Sequence, residues 1–434
     1  MKQFTDEAEL MLDFIHRSPS AFHAVDNVAA MLTEAGFEEL CLCKPWTIAQ
    51  GGRYFVRRNQ SALFAFTLGT ADAADAGFRF VTAHSDSPGF RIKPRPEMLT
   101  DGRLLRLNTE VYGGPILMTW LDRPLSVAGR VVTRSADPLR PRRTLVDLQR
   151  PLGVIPSLAI HFNRAVNEGV ALNRQTDMPL LVAAVDRGFA ADDTLLRLVA
   201  DKAGVAPDEV LDCDLYLYDT ERGTIFGTGS DLVLSPKLDD LSMVFAGTRA
   251  LVQTAQAGNY QMLCIFDNEE VGSGTKQGAA SPVLRHILER ISQHLGHTPE
   301  QHQRMLYNSF MVSADQAHAL HPNQPSMHDP VLHPVVNGGP VIKINANQKY
   351  MTDADSSAVF SSICKEAGVP CQMFVNRSDM AGGSTLGNIL TSQIDIRGVD
   401  MGNPMIGMHS ARETGGVLDQ LYATRAFARF FATR

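Results

Sequence analysis

A chain of 434 residues with 44% hydrophobic and 20% charged side chains can bury one large or two ordinary cores, which excludes a fibrous or disordered protein. A net charge of -7 and a pI near 6.0 leave no basic field to hold nucleic acid. No apolar run approaches the ~20 residues that cross a bilayer, and Met1-Lys2-Gln3-Phe4-Thr5-Asp6-Glu7 lacks the basic-then-apolar order of a signal peptide, so no membrane partner is expected.

In chain order, a first helix is predicted where Leu10, Leu12, Phe14 and Ile15 fall at helical spacing behind a capping signal, Thr5-Asp6-Glu7-Ala8. A second helix covers Ala21 to Gly36, the glycine acting as a stop. Strands follow at Arg53–Val56, Ala62–Phe66 and Phe78–Thr82, the last leading into Ala83-His84. From about Leu104 to Leu234 the texture changes to short β-like runs such as Ser126–Val132 between Pro- and Arg-rich turns, with one helix at Asp192–Ala203. After Leu234 the alternation returns: helix Leu241–Ala257, strand Gln261–Phe266, helix Ala280–His294, strand Asn308–Ser313. Helices at Ser356–Ala367, Gly387–Thr391 and Val417–Thr433 complete the pattern. The expected fold is an α/β sandwich domain, residues 1–97 and 234–434, interrupted by a β-rich domain over 98–233, because such a scaffold admits a folded insertion at a surface loop.

Cys41, Cys43, Cys213, Cys264, Cys364 and Cys371 are sparse and show no CxxC pair, so neither a disulfide framework nor a thiolate zinc site is predicted. Reduced thiols in a cytoplasm fit this usage. Five histidines crowd between His302 and His333, most of them expected in a polar loop. His16, His23, His286, His294 and His297 are read as structural or solvated, and Trp46 and Trp120 as packing residues.

Five segments place carboxylates or histidines at the ends of predicted strands, where α/β folds build their sites. They are Thr82-Ala83-His84-Ser85-Asp86, Ser235–Asp240, Phe266–Gly272, Val312–Asp315 and Met408-His409-Ser410. Glu269 and Glu270 repel each other and, beside a core edge, require a compensating cation or proton. At a strand end one can bind metal while its neighbour faces an activated water. Taken alone, the pair reads as a solvated acidic turn. A metal-binding His84 needs an acceptor for its other ring N–H, which Asp86 can supply; alone, His84-Ser85-Asp86 reads as a polar loop. With Asp239, Asp315 and His409 the set reaches two histidines and three carboxylates, enough for two zinc ions around a bridging aspartate.

TAHSDSPGFRIKP, IPSLAIHFNR, SPKLDDLSMVFAG, FDNEEVGSGTKQGA, VSADQAHALHPN, IKINANQKYMTD and MHSARE occur in one order over most of the chain, and in this the sequence resembles the aspartyl aminopeptidase family of dinuclear zinc exopeptidases. The resemblance implies hydrolysis of N-terminal aspartate or glutamate from peptides, with two Zn2+ per subunit that Co2+ or Mn2+ can replace. It implies metal ligands His84, Asp239 (bridging), Glu270, Asp315 and His409, with Glu269 as general base and Asp86 orienting His84. It also implies that His161 stabilises the tetrahedral intermediate, and that His318, Lys343 and Tyr350 line the pocket for the first residue. Relatives assemble through the β-rich insertion into dimers and then dodecamers, so a homo-oligomer is expected.

Two positions depart from the family pattern. Asp240 stands where asparagine is usual, and Ala381-Gly382-Gly383-Ser384-Thr385 lacks a cysteine often found there. Two other readings stay open at this point. One is a cocatalytic-zinc aminopeptidase or deacylase of neutral preference, which Lys343 argues against; the other is a non-catalytic assembly protein, which the full ligand set argues against.

Overall fold

The structure, a computed structural model, describes residues 1–255 and 258–433. The chain divides into two compact units. One comprises residues 1–86, 223–408 and 413 onward; the other comprises 87–222 and 409–412.

The first unit is built on a nine-stranded sheet. Across its width lie Glu38–Leu40, Arg53–Arg58, Ala62–Thr67, Tyr260–Phe266, Phe78–His84, Phe310–Ala314, Arg397–Gly402, Val341–Lys343 and Gln372–Phe374. Tyr260–Phe266, Phe78–His84, Phe310–Ala314 and Arg397–Gly402 run parallel in succession, so their C-terminal ends reach one edge. These strands read as unbroken apolar runs because both faces are covered. Leu63, Ala65, Val81, Ala83, Leu263 and Ile265 join one buried cluster, while Phe64, Phe66, Phe78, Phe80, Met262 and Phe266 join another, as a side-chain period of two requires. Helices Lys2–His16, Ala21–Glu34, Leu238–Thr254, Ala354–Glu366 and Val417–Phe431 cover the first face. Val283–His294 and Met305 of Pro299–Tyr307 cover the second. A five-stranded sheet of Thr224–Phe226, Leu232–Ser235, Glu413–Gly416, Pro404–Ile406 and Ala317–His318 completes the unit.

The second unit is an antiparallel six-stranded sheet in the order Arg142–Asp147, Leu125–Thr133, Val210–Asp219, Gly89–Thr100, Leu104–Tyr112, Leu180–Ala184. Its core gathers Phe90, Trp120, Val127, Leu215 and, from the helix Thr194–Ala203, Leu195 and Val199. Trp120 stands edge-on to Phe90 with ring centroids 5.1 Å apart, and Trp46 is buried in the first unit, so both tryptophans pack.

Local expectations shift in three places, and the stop at Gly36 holds. The first helix begins at Lys2, which puts Thr5 inside it, and Leu10 faces outward at 47% exposure. Gly36 takes φ +82° just past the second helix, the left-handed stop that glycine permits. Pro299–Tyr307, read as loop, is a helix: Thr298 and Gln301 exchange side-chain and backbone bonds as a capping box, and His302 meets the Ser292 hydroxyl at 2.7 Å. The helix predicted to Ala257 runs Leu238–Thr254, and Gln256 and Ala257 lie outside the described residues.

Candidate metal centre

Three adjacent parallel strands deliver the chemistry to one sheet edge. Phe78–His84 ends on His84, Phe310–Ala314 is followed by Asp315, and Tyr260–Phe266 leads into a short turn carrying Glu269 and Glu270. Asn268 with φ +63° and Gly272 with φ +91° bend that turn back, so two adjacent carboxylates stay at the edge rather than continuing the strand. Asp239 and Asp240 open the helix Leu238–Thr254 with non-helical backbone angles. The backbone N–H of Asp239 donates to Glu413 Oε2 at 3.0 Å, which fixes this entry from a segment distant in sequence.

The structure brings His84, Asp86, Asp239, Asp240, Glu269, Glu270 and Asp315 together. His84 is buried; its Nε2 lies 3.3 Å from Asp239 Oδ1, and its Nδ1 faces the Asp86 main-chain oxygen at 3.1 Å and the Asp86 carboxylate at 3.4 Å. The two oxygens of Asp86 accept the backbone N–H groups of Glu269 and Glu270 at 3.1 and 3.2 Å. One carboxylate thus orients the imidazole and sets the position of both glutamates. Ligand atoms of His84, Asp239, Asp240 and Asp315 all lie within 4.8 Å of one another, as do those of His84, Glu269 and Glu270.

The electrostatics of the cluster favour a bound cation. Burial pushes the Asp240 carboxyl well above the usual carboxylate range, with Asp315 and Asp239 repelling it further against the pull of His84. Burial also pushes Glu269 up to about 8 and Glu270 well above its ordinary value, and it raises Asp315 despite nearby Lys343. Burial alone would lower His84, but the carboxylates of Asp240, Asp239 and Asp86 hold it well above an ordinary imidazole. So many acids around one imidazole are costly unless a cation neutralises them. Asp240 Oδ2 accepts the His84 backbone N–H at 3.1 Å, yet no donor among the described residues reaches its buried Oδ1. Imidazole nitrogen with carboxylate oxygens is a donor set that zinc accepts. The residues fit a divalent metal.

The other predicted residues fall in three places. Lys343 ends the strand Val341–Lys343, buried, with Nζ donating to Gln316 O at 2.8 Å and 3.7 Å from Asp315 Oδ1. The ring of buried Tyr350 is 5.4 Å from that ammonium. Burial pulls Lys343 down, but Asp315, Tyr350, Asp400 and Asp239 together more than reverse it and hold the ammonium above its ordinary value. His318 lies exposed on Ala317–His318, edge-on to Phe374 at 5.8 Å. His161 and His409 belong to the second unit, the former exposed in a turn and not on a strand, the latter with Nδ1 3.1 Å from Gly114 O. Asp240, read from sequence only as an added charge, is one of the clustered carboxylates. Glu413 is the last residue of MHSARE, and sequence reasoning assigns it no role of its own.

Comparison with known proteins agrees with this chemistry. The model of the aminopeptidase I zinc metalloprotease family (M18) matches residues 14–431. A probable M18 family aminopeptidase 2 from Clostridium acetobutylicum is 47% identical over 431 residues, covering 99% of this chain and 100% of that protein. Among solved structures, one of an Ape4 and Nbr1 complex superposes with a TM-score of 0.94 at 36% identity, over 99% of this chain and 86% of that chain. The S. cerevisiae mApe1 dodecamer superposes with a TM-score of 0.86 at 29% identity, over 99% of this chain and 97% of that chain.

Proposed function

The chain belongs to the M18 family of zinc aminopeptidases, and from that premise we propose that it removes aspartate or glutamate from the N-terminus of peptides with two zinc ions. The observation that carries the metal reading is the buried group of His84, Asp239, Asp240 and Asp315, overlapped at His84 by the group with Glu269 and Glu270. In this reading His84, Asp239, Glu270, Asp315 and His409 would hold the ions, Asp239 as the ligand common to both and His409 on the strength of its motif. Cobalt or manganese can stand in for zinc.

Zinc held by these residues would supply a Lewis acid that polarises the scissile carbonyl and acidifies water. The Glu269 carboxylate takes the attacking water's proton and returns it to the leaving amine. Asp86 keeps that carboxylate aimed through the Glu269 N–H and keeps the His84 ring oriented. His161 donates to the developing oxyanion.

Acidic preference rests on Lys343, a buried ammonium beside Asp315 with the Tyr350 ring near it; His318 lines the same pocket in this reading. A first side chain entering beside Asp315 meets that charge. One observation favours the neutral-preference alternative: Lys343 already has Gln316 O and Asp315 as partners, so its charge can serve the fold alone. Hydrolysis of aspartyl, glutamyl, leucyl and alanyl reporter amides by wild type and Lys343→Met separates the two. Loss of one partner of a buried charge pair costs about 2–5 kcal/mol, so the variant should lose acidic turnover by roughly 30-fold or more while leucyl turnover is spared. Equal loss on all four substrates favours the alternative.

Assembly belongs to the same proposal: a dimer built through the second unit, and dodecamers made from dimers. Leu158, Ile160 and Phe162 flank His161 at 63%, 47% and 81% exposure, an apolar run that a neighbouring subunit would cover. A cytoplasmic setting is part of the same proposal, on the sparse cysteine usage of the sequence. No helix among the described residues is long and apolar enough to cross a membrane.

A further inference from the structure

Far along the chain from every ligand, the segment after the edge strand Glu38–Leu40 carries two exposed thiols in contact. Cys41 Sγ and Cys43 Sγ stand 2.8 Å apart, both side chains on the surface. The turn that brings them together is fastened at three carbonyls. Trp46 Nε1 donates to Cys41 O at 2.9 Å, and the Arg290 guanidinium donates to Leu42 O at 2.8 Å and Lys44 O at 2.7 Å. Arg290 also lies over the Trp46 ring, 3.7 Å from its centroid, and Trp46 is buried against Phe66. A backbone held this way keeps the two sulfurs as neighbours without further ordering cost, which is what intramolecular closure requires.

The chemistry of the pair is asymmetric. Hydrogen bonds from the Cys43 thiol and backbone, aided by the charge of Lys44, hold the Cys41 thiol below its ordinary value, so Cys41 is the readier thiolate. Cys264 and Cys364 are buried, and burial pushes Cys213 up to about 11. Cys371 is also held below its ordinary value, by the thiol of Cys364, but is half-buried, so full exposure and thiolate character coincide at Cys41.

We propose that Cys41 and Cys43 form a surface modification site, a dithiol that reacts with low-molecular-weight disulfides and closes into an intramolecular disulfide. The Cys41 thiolate attacks one sulfur of the small disulfide; a Cys41–sulfur bond forms, the small disulfide's S–S bond breaks, and one small thiolate leaves. Cys43 then loses its proton to solvent and attacks Cys41 Sγ, expelling the second small thiolate. The protein gives up two electrons and two protons, and the small disulfide is reduced to two thiols.

The test treats the full chain with oxidised glutathione and follows intact mass, peptide mapping and Trp46 emission. Wild type should lose the mass of two hydrogens, map the crosslink to Cys41–Cys43, retain no glutathione and shift its tryptophan emission. Cys43→Ser should trap one glutathione on Cys41, and Cys41→Ser should form no disulfide in this segment. The proposal is overturned if wild type keeps the glutathione adduct or does not react. It is equally overturned if the mass loss persists in the Cys41→Ser/Cys43→Ser double variant, which would assign it to Cys364 and Cys371.

Discussion

Asp86 holds Glu269 by its backbone, accepting the Glu269 N–H at 3.1 Å on one carboxylate oxygen while the other takes the Glu270 N–H at 3.2 Å. The same carboxylate is 3.4 Å from His84 Nδ1, so one side chain ties an imidazole on one strand to two glutamates beyond the next. Asp86→Ala should leave two N–H groups short of acceptors, at about 1–3 kcal/mol each if buried. Loss of such an orienting partner typically costs about 10–100-fold in metal affinity or activity. Metal content and kcat, measured together, should both fall; unchanged values for both would leave Asp86 without this role.

Glu269 and Glu270 are predicted to separate by function. Glu269→Gln keeps its shape but cannot accept a proton, so the variant should retain metal and lose about 10²–10⁴-fold in kcat. Glu270→Gln should lose metal as well. Elemental analysis of both purified variants decides it, and metal loss confined to Glu269→Gln would reverse the assignment.

His161→Ala should lower kcat by about 10²–10³-fold, the usual cost of one oxyanion donor, with metal content intact. If a neighbouring subunit's site uses this histidine, mixing His161→Ala with Glu269→Gln chains should restore part of the activity. Full activity of dissociated subunits would exclude a shared site.

A pH effect on stability is expected away from the centre. Asp419 is buried in the first turn of Val417–Phe431, and burial pushes its carboxyl up to about 7 even though the N–H groups of Asn337 and Gly339 donate to it. Its folded value lies above its unfolded one, so the folded chain binds this proton more tightly. The associated stability is full below about pH 4 and is lost as pH rises to about 7. Asp419→Asn removes that slope, so the variant's Tm should gain on wild type between about pH 4 and about pH 7. A constant Tm difference across that range would contradict the assignment.

Much of this site is legible in the amino-acid sequence because its parts obey local rules. Apolar runs ending in His84, in Asp315 and at Glu269-Glu270 are strand ends, and strands buried on both faces place such ends at one edge. Asp240 is opaque in the sequence for a physical reason. Two adjacent residues at a helix start normally diverge, and only the non-helical backbone at 239 and 240 sends both carboxylates toward His84. Glu413 is opaque because its contact with Asp239 joins segments 174 residues apart. The helix Pro299–Tyr307 escapes the apolar pattern, since Met305 alone is buried within it; its signal is the capping box at Thr298.

A two-ion site serving an acidic aminopeptidase must need both ions for turnover, and a metal titration decides whether it does. Chain stripped with a chelator is titrated with zinc while bound metal and aspartyl-amide hydrolysis are recorded on the same samples. The stripped chain should show no turnover, reach full turnover at two ions per chain, and recover with cobalt or manganese as well. Full turnover by metal-free chain, or saturation of activity at a single ion, would contradict it.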